Sequence, residues 1–503
     1  MAAALKDSAS AVLWRRSVGG DLEVFWAQRD ARLSFAGGFY AFPGGRVDAA
    51  DAAAPVRGAD GQARALLAAC ARELFEETGV LVARGPDGAR ASVPDAERRE
   101  LRRLLTERSP KGGERPHLFA ELLRARGLAV DAADFADAGR WVTPPFNPIR
   151  FDARFYLVEA PPCETAEVWE GELTHGEWIR PAAALAAWEA GRALLHPPAK
   201  HVLAVMNEDG PTPAGFERLR HPPDVDADHV AQRIDFQAGL LFVPLRSPTL
   251  PPWTHTNAFV LGDESLVLVD PGSPYPEEQA FLSGALHALE NQGRRLTEVV
   301  LTHWHHDHVA GAVAIAREAG AKIAAHSETA SRVDFKVDRL VEDGETWKLG
   351  RHSWRALHTP GHTSGHLCLL DDATGALVAG DTVAGSGTVV VDPPDGDMAE
   401  YMRTLERLAA LDVRTIYPAH GPAVPDGPAK LAEYRAHRLA REAQVVAALS
   451  ANAGAAPLEL VPAVYTDVPA EMFPIAARSV LAILLKLEQE GRARRTGDNF
   501  ALA

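Results

Sequence analysis

Apolar runs in the middle of the chain stop at clusters of polar residues, a pattern that predicts buried strands ending in loops. Residues 298–301 form one such run, and a helix is predicted over residues 309–319. Three further runs end near residues 357, 380 and 418, at turns that contain glycine or proline. Each of these predicted strand ends places a polar side chain of the metal-binding type at its terminus.

The N-terminal region has its own pattern. Residues 10–14 predict a first strand, and apolar residues at 66, 67, 70 and 74 fall on one face of a helix that Gly79 should end. Residues 86–139 are charged, follow a helical pattern with two breaks, and are expected to form an insertion that caps this region.

The C-terminal region predicts a small separate fold. Amphipathic helices are expected over residues 435–450 and 476–490, with a shorter helix over 457–464 between them. Residues 491–500 predict a strand, a turn and a second strand. Three helices and a hairpin in this order predict a winged helix.

The polar residues after the central strands favour metal binding. Imidazole nitrogen and carboxylate oxygen suit zinc and similar divalent ions. A solvated histidine-rich turn would explain one pair of histidines, whereas the segment 302–308 holds four histidines and an aspartate. His303 and His305 can share one ion, and Asp307 and His308 follow at a second position beside it, so two metals are expected. The later candidates are His362, Asp381 and His420.

This ordered set resembles the metallo-β-lactamase-fold hydrolases over roughly residues 235–425. The resemblance implies an αββα sandwich with two Zn²⁺, Mn²⁺ or Fe²⁺ ions. It implies one ion on His303, His305 and His362, the other on Asp307, His308 and His420, and Asp381 as the bridge between them. It also implies that Asp270 supports ligands and that His306, His358 and His366 are structural. We interpret His255 as a surface residue.

Two cations on one water molecule lower its pKa and stabilise charge on the attacked group, so the predicted reaction class is hydrolysis. The resemblance suggests that Asp307 also orients or deprotonates this water. The motif does not distinguish a thioester, a lactone, an amide or a phosphodiester as the substrate.

A second candidate site lies near the N-terminus. Glu73, Glu76 and Glu77 stand at helical positions i, i+3 and i+4, so three carboxylates share one side of a helix. The alternatives are a solvated acidic face and a site for a hard cation. With residues 42–45 and Arg72, the segment resembles the Nudix box, which implies that the glutamates hold Mg²⁺ or Mn²⁺ for diphosphate hydrolysis and that Arg72 positions them.

This Nudix-like sequence departs from the pattern at Asp51, which occupies a position expected to be glutamate, and an insertion separates it from Arg72. The insertion and the downstream segments 150–152 and 194–198 are similar to Nudix enzymes that cleave CoA and acyl-CoA. The CoA pattern before the box is incomplete: Arg29 and Gly38 fit, whereas Asp30 and Ser34 do not. The expected Nudix domain has an α/β/α architecture.

Length and composition bound these interpretations. The 503 residues suggest several domains, which we place at 1–205 (Nudix-like), 206–234 (linker), 235–425 (lactamase-like) and 430–503 (winged helix). The net charge of −16 opposes sequence-independent attraction to a polyanion. Cys70, Cys163 and Cys368 form no CxxC pair, which favours a reduced cytoplasmic setting, and no apolar run is long enough for a membrane span.

Three functions remain open at this stage. In the first, both centres act on a nucleotide or CoA-type small molecule, one cutting a pyrophosphate and the other an ester or thioester. In the second, the protein is an endoribonuclease acting on single-stranded RNA. In the third, the winged helix binds DNA and the other domains sense ligands. A dimerisation or docking role for the winged helix is the alternative to nucleic-acid contact.

Overall fold

The structure is a computed structural model, and it describes residues 3–33, 35–91, 93–106, 117–162, 165–169, 171–466 and 468–503. Ser34, Cys163 and part of the expected insertion at 86–139 lie outside the described residues. The chain divides into two compact units, residues 1–238 and 239–503. None of the helices in the described ranges combines the length and apolarity needed to cross a bilayer.

The first unit is a three-layer α/β/α arrangement. Its strands are β1 Leu5–Arg16, β2 Leu22–Arg29, β3 Tyr40–Ala41, β4 Gly44–Arg46, β5 Val56–Arg57, β6 Val130–Asp131, β7 Ala136–Val142, β8 Arg150–Glu159, β9 Leu173–Ile179 and β10 Ile234–Gln237. Its helices are α1 Gly61–Thr78, α2 Asp95–Thr106, α3 His117–Ala125, α4 Pro181–Glu189, α5 Pro197–Glu208 and α6 Pro213–Arg220.

The main sheet of this unit has the order β3-β2-β1-β8-β7, with β4 added beside β1 and β9 beside β2. Alternate residues of a strand point to opposite faces. In β1, Ala11 and Leu13 therefore pack with α1, whereas Val12 packs with α4 and α5 on the other face. Helix α1 ends where Gly79 adopts a left-handed conformation, as the sequence predicts.

Two N-terminal segments differ from expectation. The stretch predicted as a linker contains α6, because Phe216 and Leu219 give that helix an apolar side that packs into the first unit. Of the expected insertion, residues 136–139 belong to β7 of the main sheet, and α2 packs at the C-terminal end of α1. There, Arg102 of α2 donates to the backbone carbonyls of Glu76 and Glu77.

The second unit contains two larger sheets and a terminal hairpin. Its strands are β11 Leu240–Arg246, β12 His255–Leu261, β13 Ser265–Val269, β14 Arg295–Leu301, β15 Lys322–Ala325, β16 Arg339–Leu340, β17 Thr346–Leu349, β18 His352–His358, β19 Leu367–Asp371, β20 Ala376–Gly380, β21 Thr415–Pro418, β22 Ala493–Thr496 and β23 Asn499–Leu502. Its helices are α7 Pro276–Glu290, α8 His306–Val309, α9 Ala312–Ala319, α10 Ser327–Ala330, α11 Met398–Ala409, α12 Gly427–Ala451, α13 Pro457–Val464 and α14 Phe473–Gln489.

One sheet runs in the order β11 to β16 and the other in the order β17 to β21. Helices α7 and α9 cover the first sheet, and α11 covers the second, where apolar side chains of both layers share a core. The sheets meet where the rings of Phe259 and Tyr417 lie 6.1 Å apart. The helix predicted over 309–319 is split into α8 and α9 by a turn in which Gly311 donates to the carbonyl of Pro271.

The C-terminal elements α12, α13, α14, β22 and β23 form the expected winged helix. They do not form a separate compact unit, although the sequence places a boundary near residue 425. Leu405 of α11, Leu431 of α12, Leu484 of α14 and Phe500 of β23 belong to one continuous apolar core. This shared core joins the winged helix to the second sheet.

Candidate metal centre

The centre begins where two neighbouring parallel strands, β13 and β14, end together. Asp270 follows β13, and its carboxylate accepts hydrogen bonds from the Thr302 N–H (2.8 Å) and the Thr302 hydroxyl (2.6 Å). The side chain of Thr302 is buried, and the next six residues carry His303, His305, Asp307 and His308. The strand ends therefore fix the start of the histidine segment.

Four side chains form a first ligand group. His305 Nδ1 lies 2.9 Å from His303 Nε2 and 3.0 Å from His362 Nε2. Asp381 Oδ2 lies 3.6 Å from His362 Nε2. One ligand atom from each of these four residues falls within 4.8 Å of the others.

A second group consists of Asp307, His308 and His420, whose ligand atoms also fall within 4.8 Å of one another. His420 Nε2 lies 3.5 Å from Asp307 Oδ2. Asp381 Oδ1 approaches this group, at 3.6 Å from His308 Nε2 and 3.4 Å from His420 Nε2. The structure thus brings together all seven residues that the sequence predicts as ligands.

The donor set fits divalent cations. Burial and the neighbouring His308 hold the pKa of His303 well below its usual value, and burial and His362 lower the pKa of His305 to about 4. Both rings are therefore neutral near pH 7. The Nε2 atom of His308 is fully buried and has no hydrogen-bond partner among the described residues. Neutral imidazoles with converging nitrogen atoms match the ligands that zinc prefers.

At Asp381 and at His308, burial and the neighbouring charges shift the pKa in opposite directions. Burial raises the pKa of Asp381, but the imidazoles of His420 and His308 outweigh it and lower that pKa well below its usual value. Burial lowers the pKa of His308, but Asp381, Asp307 and Asp270 outweigh it and raise that pKa well above its usual value. Without a cation, these carboxylates therefore favour the protonated form of His308, a positive charge that a bound cation would replace.

Four of the imidazoles are held through the ring nitrogen that faces away from the ligand group. The contacts are His303 Nδ1 with Thr302 Oγ1 (3.0 Å), His308 Nδ1 with Asp270 Oδ2 (2.8 Å), His362 Nδ1 with Val390 O (2.6 Å) and His420 Nδ1 with His255 O (3.0 Å). Metal-binding histidines are usually oriented in this way. These partners turn the Nε2 atoms toward the ligand groups.

The histidines outside the predicted ligand set differ in position. His366 is buried, and its Nε2 accepts from the backbone N–H of Asp381 at 3.0 Å, which agrees with a structural role. His358 Nε2 lies 2.8 Å from the Ser364 carbonyl. His306 is exposed. His255 is only partly exposed, and its backbone carbonyl orients His420.

Sequence reasoning missed several residues beside the ligands. Asp395 accepts hydrogen bonds from the indole of Trp304 (2.7 Å) and the Ser364 N–H (3.2 Å). Thr249 Oγ1 lies 3.4 Å from His420 Nε2. Thr302 could have been found because it directly follows a strand before the histidines. The Val390 contact gives no sequence signal because a backbone carbonyl belongs to every residue type.

The acidic residues of α1 form a second polar cluster. Arg72 is 1% exposed, and its guanidinium binds Asp51 through two hydrogen bonds of 2.8 and 3.1 Å. It also donates to Glu73 (2.9 Å) and Glu76 (3.1 Å). Arg72 therefore holds three carboxylates in place, and Asp51 occupies the position that the sequence pattern gives to glutamate.

Glu77 faces the glycine turn before this helix. Its carboxylate accepts from the Gly44 N–H at 2.8 Å. Burial and the charge of Glu73 raise the pKa of Glu77 well above its usual value. Like charges this close repel, and a bound hard cation would relieve that repulsion.

The residues linked with CoA recognition do not all meet this cluster. Asp152, in a segment that fits the CoA-type sequence, pairs with Arg140, and Asp30, which departs from that sequence, pairs with Arg32. Burial and Glu73 raise the pKa of Glu77, and the nearby Arg29 lowers it by a smaller amount. The ring of His196 stacks on Phe39 with centroids 4.5 Å apart.

Two protein-family models match parts of the second unit. A model of the metallo-beta-lactamase superfamily matches residues 251–420, and one of the beta-lactamase associated winged helix domain matches residues 456–501. The beta-lactamase-like protein 2 homolog of Drosophila melanogaster is 32% identical over 260 residues, which are 48% of this chain and 84% of that protein. The Caenorhabditis elegans homolog is 31% identical over 241 residues, 47% of this chain and 79% of that protein.

Two solved structures are also similar. A metallo-beta-lactamase family protein from Thermus thermophilus has 24% identity and a TM-score of 0.45, covering 54% of this chain and all (100%) of that chain. A NUDIX hydrolase from Alicyclobacillus acidocaldarius has 30% identity and a TM-score of 0.38, covering 44% of this chain and 99% of that chain.

The family model spans the strand ends that carry the histidines and aspartates of both ligand groups. The Drosophila relative is matched over most of its own length at 32% identity. The chain therefore belongs to the metallo-beta-lactamase superfamily, whose homologues are hydrolases.

Proposed function

We propose that the candidate metal centre binds two divalent ions and hydrolyses an ester, a thioester or a related bond. The observation that carries this proposal is the position of Asp381. Its Oδ2 faces His362 of the first group, and its Oδ1 faces His308 and His420 of the second group. A carboxylate between two sets of imidazoles is suited to bridge two cations.

In this proposal, His303, His305 and His362 hold one ion and Asp307, His308 and His420 hold the other. Zinc is the first candidate, with Mn²⁺ and Fe²⁺ as alternatives. A bound pair of such ions lowers the pKa of water toward neutrality and offsets charge on the attacked group.

The residues of the chain supply orientation and proton transfer. Asp307 is partly exposed and lies beside His420, which supports the proposed role of its carboxylate in orienting or deprotonating a water molecule that enters the centre. Asp270 holds the His308 ring, and the Val390 carbonyl holds the His362 ring. Fixed rings do not have to reorganise as charge develops on the substrate.

The charges of the winged helix favour a small molecule over RNA as the substrate. Most of its arginines already have partners in the chain: Arg435 with Glu406, Arg438 with Val389 O, Arg492 with Glu442 and Glu490, and Arg495 with Asp498. Non-specific binding to a polyanion depends on free cationic side chains. A small-molecule ester or thioester is therefore the better candidate.

The contacts of helix α14 within the chain disfavour a DNA-sensing role. Helix α14 is the third helix of the winged helix, the element that enters a DNA groove in helix-turn-helix proteins. Here its residues Val480, Ile483, Leu484 and Leu487 are buried in the core shared with α11 and α12. On the exposed face of α14, Arg478 binds the Asp392 carboxylate and the Pro393 carbonyl, so this cation is used within the chain.

A second activity is proposed for the α1 cluster. Glu73, Glu76 and Glu77 would hold Mg²⁺ or Mn²⁺, and the site would hydrolyse the pyrophosphate of a nucleoside diphosphate derivative such as CoA. Supporting this, Arg72 positions two of these glutamates and is itself fixed by Asp51. The aspartate preserves the ion pair despite its shorter side chain.

The test begins with elemental analysis of the purified full chain. About two zinc-like ions per chain are expected at a binuclear centre. The metal-loaded protein is then incubated separately with an acyl-CoA and with labelled single-stranded RNA, and products are resolved by mass. Acyl-CoA cleavage supports the proposal, and RNA fragments would make the protein a nuclease. The absence of both bound metal and turnover would contradict the hydrolase proposal.

Two variants assign products to sites. Asp381→Ala should abolish ester or thioester hydrolysis and leave pyrophosphate cleavage intact. Glu77→Gln should have the reverse effect, since it removes a negative charge without changing the size of the side chain. Each variant is the control for the other, and ester hydrolysis that survives Asp381→Ala would refute the ligand assignment.

A further inference from the structure

One connection between the winged helix and the metal centre runs through residues 381–397, which we name the connecting segment. It joins β20 to α11 and begins with Asp381. In its middle, the Val390 carbonyl binds His362 Nδ1 at 2.6 Å. Near its start, the Gly385 N–H donates to the His420 carbonyl at 2.8 Å. The conformation of this segment therefore affects both ligand groups.

Helix α12 of the winged helix binds the connecting segment at two points. Arg438 is 5% exposed, and its Nη2 donates to the Val389 carbonyl at 2.7 Å. One turn earlier, the buried Tyr434 hydroxyl accepts from the Ala384 N–H at 2.8 Å and donates to the Gly387 carbonyl at 2.9 Å. These contacts bracket the stretch that leads to Val390.

Arg438 also reaches the Asp381 end of the segment through Tyr401. Its guanidinium lies 5.0 Å from the Tyr401 ring centroid. The Tyr401 hydroxyl donates to the carbonyl of Thr382 at 2.6 Å, the residue directly after Asp381. A single buried cation thus supports the backbone beside both a terminal ligand and the proposed bridging ligand.

A third contact comes from α14. Arg478 binds the Asp392 carboxylate and the Pro393 carbonyl, just beyond Val390. This arginine is exposed, with 44% of its side chain accessible. Helices α12 and α14 thereby hold the segment on both sides of the carbonyl that orients His362.

We infer that Arg438 is a positioning residue of the metal centre and that the winged helix serves as a brace for the ligands rather than as a nucleic-acid reader. This inference rests on the proposed binuclear site. Arg438 contacts no ligand directly: it fixes the Val389–Val390 backbone, and that backbone fixes the His362 ring. Loss of the group that hydrogen-bonds a metal-binding histidine typically weakens metal binding by roughly 10- to 100-fold, and this range is the upper limit for Arg438, which acts through that group.

The test compares Arg438→Gln with Arg435→Gln in the full chain. Arg435 lies one turn earlier on α12, is exposed, and pairs with Glu406 at 3.2 Å, so it is a matched control. Metal-free protein is titrated with Zn²⁺ against a chromophoric chelator, and the visible absorption of Co²⁺-loaded protein reports the ligand geometry. Arg438→Gln should weaken binding of the ion held by His362 by up to roughly 100-fold and alter the Co²⁺ spectrum, whereas Arg435→Gln should match wild type.

Arg438→Lys should recover part of the affinity because an ammonium can still donate to a carbonyl but lacks the planar fork. If Arg438→Gln has wild-type affinity and a wild-type spectrum, this inference is overturned and the proposed function is not affected. A wild-type chain that binds no Zn²⁺ would overturn the proposed function together with it. If circular dichroism shows that Arg438→Gln is unfolded, Arg478→Gln decides: weaker binding of the same ion supports the brace, and unchanged binding overturns it.

Discussion

Asp270→Asn should damage the metal centre while preserving its shape. Asp270 Oδ2 accepts from His308 Nδ1 at 2.8 Å, which directs the bare Nε2 atom toward the proposed ion. An asparagine can keep its oxygen on the Thr302 N–H, and its amide N–H₂ then faces His308 Nδ1. The ring would then favour the tautomer with its proton on Nε2, where it blocks a metal.

The size of the effect follows from the hydrogen bonds. A hydrogen bond to a charged group contributes about 1.5–3 kcal/mol, and that contribution to the correct tautomer is lost. Since each 1.4 kcal/mol is a factor of ten, metal affinity at the His308 position should fall roughly 10- to 100-fold. Mismatched buried donors should also lower the free energy of unfolding by about 1–3 kcal/mol.

The matched control is Asp371→Asn. Asp371 is fully buried, and its Oδ2 lies 3.0 Å from His352 Nδ1, so the same pair of groups occurs away from the ligands. Both variants should lose stability in urea unfolding, and only Asp270→Asn should lose Zn²⁺ affinity in chelator competition. Equal Zn²⁺ affinity for Asp270→Asn and wild type would refute the tautomer argument, as would an equal loss of affinity in both variants.

Three further results are expected. Arg72→Met should lower the free energy of unfolding of the first unit by about 3–5 kcal/mol because it removes the guanidinium partner of the buried Asp51 carboxylate, and an unchanged denaturant midpoint would contradict this. Gly361→Ala should destabilise the protein by more than about 1 kcal/mol, since Gly361 has φ of +138° and an added Cβ would lie 2.4 Å from Tyr401 Cα; a variant with wild-type melting would refute this. Burial raises the pKa of Asp371, but hydrogen bonds from His352 and Thr374 outweigh it and lower that pKa below its usual value. The stabilising effect of the ionised Asp371 is therefore present above the unfolded pKa of about 3.9 and is lost as pH falls through the folded pKa. The stability difference between wild type and Asp371→Asn should therefore shrink on acidification, and urea unfolding at a series of pH values that shows a constant difference would contradict it.

The local elements were predictable where the pattern of apolar residues was regular. The helix over Pro457–Val464 has the predicted bounds, and the second-unit fold and winged helix are confirmed by the matching family models. The helix near residue 309 was harder because its start depends on contacts with Pro271, which lies far away in sequence. The sequence predicts a linker where α6 lies, because the apolar side of this short helix is buried only by packing against the rest of the first unit.

The sequence by itself determined which side chains could bind metal. Histidines and aspartates directly after apolar strands are visible as residue types, and their order along the chain carries the resemblance that implies both proposed ligand groups. The sequence also determined the three carboxylates and Arg72 on one helix, because helical spacing is local. The ligand assignment and the Nudix activity themselves stay predictions.

Only the tertiary structure decided what orients these side chains. The ring of His362 is held by the carbonyl of Val390 and that of His420 by the carbonyl of His255. Backbone carbonyls are common to all residues, so their partners depend on the path of the chain and leave no mark in its composition. The shared core of the winged helix and the second sheet has the same origin, because burial of an apolar face depends on which distant surface covers it.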